Sequence, residues 1–111
     1  MKPWELLQKA GFEPIQPACS NEDVTGGYTS DLLSDVMANA PAGSALITIQ
    51  AHKNTVAVAT LAGVRVIIVC NNRPIPADML EAARQEKIGL FRTAENQFVT
   101  SYKVHALIVG S

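Results

Sequence analysis

The sequence predicts an α/β fold, a single three-layer domain with a mainly parallel central sheet flanked by helices. Three observations predict it. From residue 45 onward, strand-like runs alternate with helix-like runs: residues 45–50, 55–62, 64–70, 77–86, 89–92 and a last helix to about 106. Such alternation feeds a parallel sheet through right-handed crossovers. The run 64–70 (Val-Arg-Val-Ile-Ile-Val-Cys) is rich in β-branched residues, as a strand covered on both faces requires. Finally, 111 residues with 48% hydrophobic and 17% charged content can bury a core without staples, and that balance excludes a disordered chain.

Each element has its own justification. Pro3 suits the first turn of a helix over residues 3–10, with Trp4, Leu7 and Ala10 on one face and Gly11 as its stop. Residues 12–16 read as a short strand, and Pro14 assigns it to an edge. Residues 23–28 read as a strand with a bend at the double glycine. Ser30 reads as the N-cap of a two-turn helix whose buried stripe is Leu32, Leu33, Val36 and Met37, broken by residues 39–43.

Asn54 reads as the cap of the helix over 55–62, which Gly63 closes. That helix is apolar nearly all round and is expected to be deeply packed. Pro76 opens the helix over 77–86, with Met79, Leu80 and Ala83 facing inward. Thr93 reads as the cap of the last helix, on which Phe98, Tyr102 and Ala106 share one side and His105 serves packing. The N-terminal part adds one or two strands, whose orientation the pattern leaves open. No repeat or linker divides the chain, so residues 1–111 are read as one domain.

Composition narrows the partners. The net charge is −1, and the Lys and Arg residues are scattered and never adjacent, which argues against nucleic acid. The longest apolar run is far short of a membrane span, and residues 1–10 lack the apolar core of a signal peptide. A cytoplasmic location is expected, with Cys19 and Cys70 as free thiols. The low charge predicts apolar surface covered by a second subunit, and hence a homodimer.

In open α/β sheets, ligands bind beyond the carboxyl ends of the strands. That rule selects Gln50, His52 and Asn54 after one strand, and Asn71 and Asn72 after the next. The glycine segment Thr25, Gly26 and Gly27, leading to Ser30, is expected on the same rim. It reads either as a cradle for a small anion at a helix start or as a tight turn with an N-cap.

His52 reads as a ligand contact or general base, or as a loop histidine bonded to backbone. Asn71 and Asn72 offer donors and acceptors to a ligand, or form a turn with Arg73 and Pro74. Asp31 and Asp35, four apart, read as solvated residues of one helix face rather than a cation site. No metal site, cofactor or catalytic residue is expected. Zinc-ligand spacing, phosphate-binding loops, dinucleotide fingerprints and hydrolase motifs are all missing from the sequence.

The stretch Asp23-Val24-Thr25-Gly26-Gly27, followed by Tyr28-Thr29-Ser30-Asp31-Leu32-Leu33-Ser34-Asp35-Val36-Met37, resembles the signature of the DRTGG domain. Ile47-Thr48-Ile49-Gln50 with His52 and Asn54 fits the segment that follows. The resemblance runs to about residue 108. Similar domains occur in the N-terminal part of HPr kinase/phosphorylase, in some family II pyrophosphatases and in some phosphate acetyltransferases. Stand-alone forms are associated with iron-only hydrogenase components.

The resemblance implies an α/β fold, frequent dimers and a non-catalytic regulatory or adaptor role, with a hydrogenase or redox enzyme as partner. A sensor for a small anionic ligand, a nucleotide or phosphometabolite held at the carboxyl-end rim, is the alternative reading. An enzyme built on His52 is a third, less favoured one. One departure stands out: Val24 occupies the place of the motif's arginine, so that position cannot pair with an anion.

Overall fold

A computed structural model describes residues 1–18 and 20–110. Cys19, Ser111 and the side chain of Leu7 lie outside the described residues, and with them the expected thiol of Cys19 and the helix-face position of Leu7. In chain order the elements are α1 (Glu5–Gln8), β1 (Glu13–Gln16), β2 (Gly26–Thr29), α2 (Leu33–Asn39) and β3 (Ser44–Thr48). They continue with α3 (Lys53–Ala62), β4 (Val66–Val69), α4 (Ala77–Glu86), β5 (Gly89–Arg92) and α5 (Gln97–Val109). The fold class is the one the sequence predicts.

The strands form one sheet in the order β1-β5-β4-β3-β2. β2 to β5 run parallel in sequence order, and β1 closes the far edge antiparallel to β5. Three successive right-handed crossovers in one direction put α2, α3 and α4 on a single face. There Val36, Val56, Ala59, Met79 and Ala83 pack on Leu46, Ile67, Val69 and Leu90. On the other face Leu6, Phe12 and Val104 cover Ala45, Ile47, Val66, Ile68 and Phe91. Alternate residues of β3 and β4 thus feed two separate cores, which is why Ala45, Leu46 and Ile47 at the centre of β3 and all four residues of β4 are apolar.

Several boundaries and roles differ from expectation. The first helix is one turn, and Trp4 faces solvent, with the Lys9 ammonium 5.9 Å from its ring centre. Gly26 and Gly27 form no bend. They are extended residues of β2, and the glycines with positive φ are Gly11, Gly43 and Gly63. The N-cap of α2 is Leu32, not Ser30, whose hydroxyl instead accepts from Leu32 N. Leu32 and Met37 are exposed, leaving Val36 as the fully buried residue of that stripe.

His52, not Asn54, caps α3, and Leu61 on that helix is exposed because only one side meets the sheet. Asn96, not Thr93, caps α5, which runs on to Val109. Thr93 supports the approach to that cap by accepting from Glu95 N. Pro76 does open α4, and Pro14 does lie on an edge strand, where the β1 register slips between Pro14 and Gln16.

Candidate functional site

At the carboxyl ends of the strands the polar groups are held by one another. Asp31, in the loop after β2, is the hub. Its Oδ1 accepts from the Thr48 hydroxyl at 3.0 Å, from Ile49 N at 2.8 Å and from Gln97 Nε2 at 3.0 Å. One carboxylate therefore ties the β2–α2 loop to the end of β3 and to the start of α5. Asp31 precedes α2 and does not share a helix face with Asp35, as the four-residue spacing had suggested.

The Asp35 carboxylate instead accepts from the Tyr28 hydroxyl, at 2.8 Å to one oxygen, and from Asn39 Nδ2 at 2.9 Å. Hydrogen bonds from Asn39, Ser30 and Tyr28 hold its pKa below the usual aspartate range, and the same contact with Asp35 raises that of Tyr28.

The predicted rim residues divide into two groups. Ser30, Gln50, His52, Asn54, Asn71 and Asn72 do lie at the carboxyl edge. His52 Nδ1 accepts from Asn54 N at 3.0 Å, so that nitrogen is spent on the α3 cap. Gln50 offers its carbonyl to the Thr55 hydroxyl and its N–H to Thr48.

Asn71 and Asn72 both adopt left-handed backbone, with φ of 61° and 51°, a conformation that asparagine tolerates well. Their N–H groups donate to the carbonyls of Glu95 and Thr93. The chain leaves β4 toward one face and β5 toward the other, and these two bonds tie together the strand ends where a crevice would open.

Thr25, Gly26 and Gly27 are not on that rim. Gly26 and Gly27 pair with Ser44 and Ala45, the first residues of β3, so they sit at the amino end of β2. The expectation of one shared rim is corrected because a parallel register aligns strand starts with strand starts. The segment lines a groove of about 380 Å³ between β2 and α5, whose walls include Ile47, Ser101, Val104, His105 and Ile108. Gly27 opens it: a Cβ there would lie 3.8 Å from Val104 Cγ1. Thr29 and Ser101 close one end through a 2.7 Å hydrogen bond. His105, read as a packing residue, is exposed and belongs to this groove.

Val24, in the position of the motif's arginine, is fully buried against the first core, and its N–H donates to Met1 O. Its side chain points into the protein. Cys70 is a free, buried thiol whose pKa burial pushes up. Among the described residues no cluster of three or more His, Cys, Asp or Glu side chains could hold a metal ion. No helix there is long and apolar enough to cross a membrane.

The chain superimposes with a TM-score of 0.72 on the CBS and DRTGG domains of the regulatory region of Clostridium perfringens pyrophosphatase. The fold is DRTGG-like. That crystal structure is a complex with an activator, diadenosine tetraphosphate. The two share 13% identity over 93% of this chain, which spans 45% of that regulatory-region chain. No family model and no curated protein matches the sequence. Of the residues that matter to this geometry, sequence reasoning missed the Asp31 hub. Its signal was an aspartate just beyond a strand end, where free N–H groups of the neighbouring strand converge.

Proposed function

We propose that this chain is a non-catalytic regulatory or adaptor domain, cytoplasmic and homodimeric, which acts by binding. The observation that carries the reading is the state of the carboxyl edge. The groups that a reaction would need there, His52 Nδ1 and the Asp31 carboxylate, already serve backbone and side-chain donors of the fold. No orienting carboxylate contacts His52 among the described residues, so the base–orienter pair of an active site is missing. The DRTGG-like fold of a regulatory region supports the same reading.

The client implied by the DRTGG resemblance is a redox enzyme of the iron-only hydrogenase type. The test adds the purified chain to that enzyme. A saturable change in its turnover is expected, and no change together with no measurable binding overturns the reading.

A second reading, a small-ligand sensor, is favoured by the nucleotide bound to the pyrophosphatase region. The exposed side chains of Gln50, Asn54, Asn71 and Asn72 would then contact an anionic ligand at the carboxyl edge, and Ser30 would flank it. A thermal-shift panel of mono- and dinucleotides checks it. A ligand at a hundred times its Kd stabilises by about 2.7 kcal/mol, and a flat panel removes this reading.

A further inference from the structure

We infer that a second copy of this chain pairs antiparallel along the outer edge of β2, joining two five-stranded sheets into one and packing α5 against its counterpart. The inference rests on the homodimer reading above and gives it a surface.

The two edges of the sheet are treated differently. β1 carries Pro14 and a register slip, and Glu13 on it is charged, all features that discourage strand addition. β2 reads Gly-Gly-Tyr-Thr, without proline or charge. Thr25 directs its N–H to Gly43 O, so by strand alternation Gly26 and Tyr28 turn their N–H and C=O groups away from β3. Those groups form the unpaired outer edge of the sheet.

Beside that edge, α5 leaves an apolar stripe in solvent. Phe98, Tyr102 and Val109 are 84%, 70% and 65% exposed. With exposed His105 they are spaced four, three and four residues apart, the narrow seam that a second helix covers. His105 and Val109 also line the groove beside Gly26 and Gly27, so seam and strand edge form one continuous surface.

Distances fit a two-fold arrangement. α5 packs across β2 and β3. Strands pair about 4.8 Å apart, so a two-fold axis midway between the paired β2 strands places the two α5 axes roughly 10 Å apart. Helices pack at 8–10 Å.

Charge fits as well. A two-fold interface sets each residue against the same patch, so a charged face repels itself. β2 has no charged side chain, and α5 has one, Lys103, which is paired with Glu95. Phe98 and Tyr102 together offer roughly 300 Å² of accessible surface. A standard interface buries ~800 Å² on each partner, and the remainder would come from His105, Val109 and the β2 edge.

Sedimentation velocity of the full chain across the micromolar range, together with amide exchange, tests the proposal. The variants are Phe98→Glu, on the exposed helix face, and Gly26→Pro, which removes one outward N–H. Far-UV circular dichroism checks the fold of each. The wild type should be a dimer, and Phe98→Glu should raise its dissociation constant about 30-fold or more. The Gly26 and Tyr28 amides should exchange slowly in the wild type and fast in Phe98→Glu. A dimer that survives both substitutions, with those two amides exchanging fast, overturns this interface but leaves the homodimer reading standing. A monomeric wild type overturns both, as does a monomer whose β2 edge binds an extended segment of another protein.

Discussion

Replacing Asp31 by alanine strands three donors at once, the Thr48 hydroxyl, Ile49 N and Gln97 Nε2. Thr48 is buried, so its hydroxyl cannot turn to water freely. The expected loss is about 2 kcal/mol, read as a shift in urea midpoint, with Asp31→Asn losing less because one acceptor oxygen remains. The Tyr28–Asp35 contact makes a second prediction, on pH. The folded pKa of Asp35 is depressed, so its contribution is present above about pH 4 and lost as pH falls through the depressed value. The folded pKa of Tyr28 is raised, so its contribution is present below about pH 10 and lost as pH rises through the raised value. Tyr28→Phe should abolish the alkaline loss and weaken the acid one, relative to the wild type. Unfolding midpoints collected from acid to alkaline pH decide it, and an unchanged profile would remove the assignment.

At the level of elements, the helix starts show where local reading succeeds and where it slips. Thr93 and Asn96 are both good capping residues three positions apart, and the sequence pattern favoured the first. The choice falls to Asn96 because Thr93 is held earlier by the sheet, with its N–H on Val69 O. Asn96→Ala should therefore cost about 1 kcal/mol in chemical denaturation, through the lost bond from Val99 N. At α3 the cap shifts the other way, from Asn54 to His52, because His52 Nδ1 accepts from Asn54 N and brings Asn54 inside the helix. The strands were easier to read. The β-branched run of β4 is legible because a strand buried on both faces has no polar position to confuse the pattern. The apolar content of α5 was legible too, but not which of its sides would be left in water.

On the scale of the whole molecule, the sequence by itself determined the kinds and order of the elements, the parallel core of the sheet, and the absence of any recognised catalytic motif. Those properties depend on residue period, turn chemistry and residue type, all of which are local. Only the tertiary structure decided which end of the sheet each polar segment occupies. Register placed Thr25, Gly26 and Gly27 with the strand starts, far along β2 from Asp31, while His52 and Asn71 stayed at the strand ends. Tertiary structure also decided that the carboxyl edge spends its polar groups on itself, and that β2 and α5 share an uncovered apolar border. The physical reason is common to all of these. Register, crossover direction and helix rotation are fixed by contacts between residues distant in the chain, and no window of neighbouring residues contains them.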